Sequence, residues 1–202
     1  TLSAAAEREG SACLIATGDR DSLQLVSAGT TVRLATTKFG QPQVTLYDEA
    51  KIMEEYGVTP RQMIDLKAIQ GDTSDCIPGV AGIGPKGAGE LIQRFGSLEE
   101  VYAHLDDPAI KAGTRKKLEA SKENAFLSYD LGTIRRNAPI DTELAHYGKG
   151  PGDPQRAAAA MVRLELFSLI EKFGLDGSAA AAPAPEEAAP GQALPVNTLA
   201  DP

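Results

Sequence analysis

Between two apolar helical stretches the chain runs Pro78-Gly79-Val80-Ala81-Gly82-Ile83-Gly84-Pro85-Lys86, and this segment limits the possible folds more than any other. Gly79, Gly82 and Gly84 permit a tight hairpin that residues with side chains would strain. Pro85 pre-sets φ for the first turn of a helix whose apolar face carries Leu91, Ile92 and Phe95. Backbone amides at such a helix start face outward, ready for an anion, and Lys86 adds a positive charge beside them. A plain connection between two helices is the competing reading.

Two acidic pairs are the candidates for chemistry. Asp19 and Asp21 follow the short apolar run Cys13-Leu14-Ile15-Ala16, and the carboxyl end of a parallel strand is where ligand sites usually lie. Asp72 and Asp75, three apart at a helical turn, can aim both carboxylates the same way. Clustered hard oxygen ligands suit Mg²⁺ or Mn²⁺, and such ions suit phosphodiester hydrolysis. The alternative is that Asp19 or Asp72 simply caps a helix. His104 and His146 lie far from both pairs in the sequence, and no nucleophile–base arrangement is apparent.

The surrounding pattern predicts an α/β beginning and a helical continuation. A helix over residues 2–9 precedes the apolar run, which reads as a parallel strand covered on both faces. Few neighbours for such a strand exist in this chain, so its partners are expected upstream. A short helix follows with Leu23, Leu25 and Val26, then strands over residues 31–35 and 43–46 joined by a turn at 38–42. Asp48 caps a helix running to Tyr56, and Thr59-Pro60 opens another to about Ile69. One long helix is expected over residues 154–173. Residues 178–202 are rich in Ala and Pro and read as a disordered tail or interdomain linker.

The formal charge of −8 looks unsuited to a nucleic-acid partner until it is divided by segment. Lys111, Arg115, Lys116, Lys117, Lys122, Arg135 and Arg136 outweigh Glu119, Glu123 and Asp130 between them, and a phosphate backbone feels the local field. The run Arg115-Lys116-Lys117 is either an extension of a backbone grip or a solvated helix face. No apolar stretch approaches the ~18 residues of a membrane span. Cys13 and Cys76 lack metal-type spacing, which fits a reducing cytoplasm.

Thr17-Gly18-Asp19-Arg20-Asp21-Ser22-Leu23-Gln24-Leu25-Val26 followed by Gly71-Asp72-Thr73-Ser74-Asp75-Cys76-Ile77-Pro78 and the glycine-rich segment closely resembles the 5′-nuclease domain of bacterial DNA polymerase I. The wider group includes flap endonucleases and phage 5′-exonucleases. The resemblance covers roughly residues 1–175 and implies a partial PIN-like parallel-sheet core followed by a mostly helical helix-hairpin-helix region. It implies core residues at 1–70, a DNA-binding region at 71–175, and a linker at 176–202 leading to downstream polymerase domains. It places Asp19, Asp21, Asp72 and Asp75 in a catalytic set that holds two Mg²⁺ or Mn²⁺ ions, and a K⁺ ion at the hairpin. Gly79, Gly82, Gly84, Lys86, Arg115, Lys116 and Lys117 would face DNA carrying a 5′ flap, nick or 5′ end. The setting implied is primer removal and repair in the bacterial cytoplasm, at the nucleoid.

The chain departs from that pattern in three ways. The family's first-strand Asp and its Glu-x-Asp-Asp cluster would lie upstream of Thr1, as would the basic and aromatic residues of its helical gateway. Cys76 stands where Asn is usual, and Gly87 where Thr is usual. With part of the carboxylate set absent, the chain alone is expected not to cleave. A DNA-binding clamp without catalysis and a stand-alone 5′-nuclease paralogue are the alternative readings.

Overall fold

The structure is a computed structural model and describes residues 1–148, 150 and 152–175. The chain divides into two compact units after Tyr147. In the first unit, α1 (Leu2–Arg8) leads into a sheet of order β1-β2-β3. β1 (Cys13–Thr17) pairs parallel with β2 (Thr30–Lys38), with Ile15 opposite Val32. A 3₁₀ helix (Arg20–Leu25) lies in the connection between them. β3 (Gln41–Tyr47) returns antiparallel to β2. The turn between them narrows to Phe39-Gly40, both with positive φ (52° and 74°), as a right-handed-twisted hairpin requires.

The sheet's inner face supplies Val32, Leu34 and Tyr47 to a core completed by Leu23, Val26 and Ile52. Its outer face leaves Leu14, Val44 and Leu46 at least half exposed. The expectation of a β1 covered on both faces is therefore corrected. Burial alternates along it, and it is the edge of the three strands found among the described residues.

The helical part begins with α2 (Glu49–Tyr56), capped by Asp48, whose carboxylate accepts from the Lys51 amide at 2.8 Å. Thr59 and Gln62 cap α3 (Gln62–Gln70) reciprocally, each side chain accepting from the other's backbone N–H. Then come α4 (Pro85–Phe95), α5 (Leu98–Ala103), α6 (Ala112–Ala120) and α7 (Lys122–Gly132). They close around Ile69, Ile92, Leu98, Val101 and Leu118. Tyr56 and Met63 pack against both cores, so sheet and helices are joined across α2 and α3.

In the second unit the expected long helix is two, α8 (Pro154–Arg163) and α9 (Phe167–Lys172). The break falls at Glu165, whose φ of 56° takes the backbone out of the helix while the Leu166 amide bonds back to the Met161 carbonyl. The linker expected over residues 176–202 lies outside the described residues.

Candidate metal and nucleic-acid site

α3 is the element from which the site is built. Its residues 65–69 are all buried, and Lys67 among them keeps only 8% of its side chain exposed. A lysine so placed needs partners, and three carboxylates meet it. Asp21 embraces the Lys67 Nζ with both oxygens at 2.6 Å, while Asp72 and Asp75 each reach it at 3.1 Å. Asp21 arrives from the 3₁₀ helix that follows β1. Asp72 and Asp75 come from the loop that ends α3.

That loop is held by backbone bonds. Asp72 and Ile77 exchange both N–H···O bonds, at 2.9 and 2.8 Å, and the Val80 amide bonds to the Ile69 carbonyl at 2.8 Å. Inside it the Ser74 hydroxyl and amide both donate to Asp72, which brings the Asp72 pKa down to about 2 against the opposing effect of burial, with Lys67 adding to the shift. Burial pushes the Lys67 ammonium toward deprotonation, but its bonds to Asp21, Asp75 and Asp72 outweigh that and hold its pKa above the ordinary lysine range.

Asp19 stands apart from these three. Its carboxylate accepts from the Asp21 amide at 2.9 Å and caps the 3₁₀ helix. Three of the four sequence-predicted carboxylates thus converge on one positive centre, and the fourth serves the turn that presents Asp21. The donors are hard oxygens suited to a divalent cation, and the Lys67 ammonium stands where such a cation would neutralise them. Among the described residues, no group of three or more His, Cys, Asp or Glu side chains is already arranged as a metal cage.

Sequence reading missed Lys67. The signal was present: a lysine set between the apolar Ile64, Leu66, Ala68 and Ile69 of one helix must be neutralised by something nearby.

The hairpin follows immediately. Gly79 is buried, and its amide donates at 2.9 Å to Ser128 Oγ on α7, which in turn donates to the Asn124 carbonyl at 2.6 Å. Gly82 and Gly84 are exposed, as is Lys86 on the first turn of α4. α6 lies against the turn: Lys117 Nζ donates to the Gly82 carbonyl at 2.9 Å, and Ser121 Oγ accepts from the Ala81 amide at 3.4 Å. The basic run and the hairpin, far apart in sequence, are thus one surface. Within the run the roles differ. Arg115 pairs with Asp106 at 3.2 Å, Lys117 serves the hairpin, and Lys116 is exposed with no ion pair among the described residues. Between the acidic cluster and the start of α4 lies a cleft of about 410 Å³, lined by Asp21, Lys67, Asp72, Tyr56 and Lys86 among others.

Residues 58–155, which hold this loop and hairpin, match the family described as 5′-3′ exonuclease, C-terminal SAM fold. A DNA polymerase I from Caldicellulosiruptor bescii is 43% identical over 162 residues, 80% of this chain. The chain belongs to the 5′-3′ exonuclease family of DNA polymerase I. It spans only 19% of that relative's length. Among solved structures, the 5′-exonuclease of phage T5 with bound zinc is similar at 25% identity and a TM-score of 0.53, covering 65% of this chain and 46% of that one. A bacteriophage T5 flap endonuclease in a pseudo-enzyme–product complex with DNA and metal ions is similar at 25% identity and a TM-score of 0.52, covering 64% of this chain and 46% of that one. The family named from the Gly71–Lys86 segment therefore stands, as does the mixed α/β fold with a helical continuation. No helix among the described residues is long and apolar enough to cross a membrane.

Proposed function

We propose that this chain supplies the DNA-gripping surface and part of the carboxylate set of a 5′-nuclease, acting on phosphodiester bonds near DNA 5′ ends and flap junctions. The observation that carries this reading is the shared backbone of the two sites. Asp72 and Asp75 sit in a loop whose closing residue, Gly79, is already the first residue of the hairpin. DNA held at the hairpin would therefore lie at a fixed distance from the carboxylates.

Asp21, Asp72 and Asp75 would hold Mg²⁺ or Mn²⁺, and Asp19 would join them through the carboxylate oxygen that does not accept from the Asp21 amide. Such a cation, when bound, supplies Lewis-acid activation of phosphodiester hydrolysis. The chain's own residues do the rest of what can be assigned. Exposed Gly82 and Gly84 let a phosphate approach the backbone, Lys86 and Lys116 neutralise it, and hairpin carbonyls such as that of Gly82 take a K⁺ ion when Lys117 yields. Residues 1–70 complete a nuclease core, and residues 71–175 hold duplex DNA. Residues 176–202 lead to polymerase domains, in a protein of the bacterial cytoplasm. The metal ions and DNA held by the phage T5 enzymes and the polymerase identity of the bacterial relative support this reading.

We infer that the three carboxylates gathered around Lys67 are too few for two-metal cleavage, so that the chain alone binds without cutting. Fluorescence anisotropy of a labelled 5′-flap duplex, without Mg²⁺, tests the grip. Saturable binding, stronger in K⁺ than in Na⁺, is expected. A folded chain that binds in neither salt would overturn the assignment. Mg²⁺-dependent cutting of the flap by this chain would overturn the claim that it needs further carboxylates. A clamp that never cuts is the second reading, favoured by the ammonium at the centre of the cluster. It predicts that Mn²⁺ does not bind at all.

A further inference from the structure

The acidic cluster holds a cation of its own. Three carboxylates brought around one point repel one another strongly unless a positive charge sits between them. Lys67 supplies it from a position the fold makes hard to avoid. Its helix is buried, and its side-chain stem runs beside Gly132 of α7, where an added Cβ would meet Lys67 Cδ at 3.5 Å. Its ammonium then has contacts at 2.6 to 3.1 Å to Asp21, Asp72 and Asp75 together. A divalent cation using the same oxygens cannot share that point with an ammonium. The two positive charges would stand within a few ångströms of each other in a partly desolvated pocket.

We propose that Lys67 is the resident counter-ion of the acidic cluster, and that a divalent cation enters only by displacing its ammonium. This rests on the metal reading given above. The lysine stem is long and flexible, and the adjoining cleft that Lys67 also lines gives the ammonium somewhere to go. Two consequences follow. The carboxylates stay assembled without metal, because Lys67 neutralises them. Metal affinity is set low, because each binding event must break the bidentate bond to Asp21 and the pairs with Asp72 and Asp75. Lys67 is thus a positioning residue that trades metal affinity for a preassembled site.

The test is Mn²⁺ binding to the whole chain, followed by the electron paramagnetic resonance signal of free hydrated Mn²⁺. Lys67→Met keeps the stem and removes the charge, and it is expected to bind Mn²⁺ about tenfold more tightly than the wild type, a gain of about 1.4 kcal/mol. Equal affinity would overturn the counter-ion role while leaving the metal reading intact. Weaker affinity would do the same, by showing that Lys67 helps the metal rather than competing with it. No binding to either protein would overturn both.

A second measurement needs only the wild type and so survives a misfolded variant. Pulse acetylation with acetic anhydride, read by mass spectrometry, reports how freely each lysine reacts. Lys67 is expected to react slowly without metal and several-fold faster in saturating Mn²⁺, with exposed Lys116 unchanged as the internal reference. A Lys67 rate that does not rise when Mn²⁺ is bound overturns the displacement.

Discussion

Gly71 and Gly79 lie backbone against backbone: a methyl group on Gly79 would stand 2.4 Å from the Gly71 nitrogen and 2.6 Å from its Cα. The contact is reciprocal, since a Cβ on Gly71 would meet the Ile77 and Pro78 carbonyl oxygens at 2.8 and 3.0 Å. Both glycines also have positive φ, 73° and 61°. This pair joins the acidic loop to the hairpin, and neither partner can give way because each is main chain. Gly79→Ala is expected to cost about 3 kcal/mol or more, the range of severe backbone clashes. Gly84→Ala is the control, since a Cβ there meets nothing within 4 Å and its φ of −90° suits any residue. It is expected to change stability by less than about 0.5 kcal/mol. Urea unfolding of both variants checks the contrast, and equal costs would mean that the close approach does not govern the site.

Cys76 is a strained residue in the same loop. Its φ of 57° puts a side-chain-bearing residue in the left-handed region, which Asn tolerates better because its amide can bond locally. Cys76 is also exposed, so no packing holds it there. Cys76→Asn is therefore expected to raise stability by about 0.5–1 kcal/mol, part of the ~1–2 kcal/mol that the left-handed conformation costs. A variant no more stable than the wild type in thermal unfolding would show that the turn already absorbs the strain.

Asp65 makes stability depend on pH in the unusual direction for a carboxylate. It is 5% exposed on α3 and accepts from the Leu98 amide at 2.9 Å, capping the approach to α5. Burial raises its pKa, and the Leu98 bond only partly offsets that. The native state therefore keeps the proton to higher pH than the unfolded chain does. Asp65 favours folding below the ordinary carboxylate range, and that contribution is lost as pH rises through the raised native value. Asp65→Asn keeps the acceptor without the charge. At pH 7 it is expected to raise the Tm by a few degrees, roughly what 1 kcal/mol is worth in a chain of this size. Near pH 3 the gain should vanish, because both side chains are then neutral. A gain that persists there would assign it to packing instead.

What could be read from the residues, and what could not, has a physical division. The hairpin of β2 and β3 was legible because alternation has a period of two and Lys38-Phe39-Gly40 breaks it. The caps at Asp48 and Thr59 were legible because a cap is a local bond, satisfied within three residues. The exposed face of β1 was not, since an unbroken apolar run looks the same whether one face is covered or two. The break between α8 and α9 was hidden because Leu164-Glu165-Leu166 contains no Gly or Pro to mark it. In the site, Asp72, Asp75 and the glycines sit within a few residues of one another, so spacing alone brought them together. The meeting of Asp21 with Lys67 spans 46 residues, and that of Lys117 with Gly82 spans 35; these are products of packing, beyond the reach of any local pattern.

The three lysines nearest the hairpin separate by what their charges already do. Lys86 and Lys116 are exposed and make no ion pair among the described residues, so each is free to meet a phosphate. Lys117 is committed to the Gly82 carbonyl. Each phosphate that a lysine neutralises steepens the slope of log affinity against log salt by about 0.9 on duplex DNA. Lys86→Met and Lys116→Met are each expected to reduce that slope by about this amount for the 5′-flap duplex, while leaving thermal stability within about 0.5 kcal/mol of wild type. Lys117→Met should behave in the opposite way. It removes a bond that holds the hairpin, so it should lower stability by about 1 kcal/mol and weaken DNA binding with little change in slope. Anisotropy titrations at several KCl concentrations, paired with thermal unfolding, distinguish the two patterns. If Lys86→Met leaves both slope and affinity unchanged, the start of α4 does not face the DNA, and the grip must lie along α6 alone.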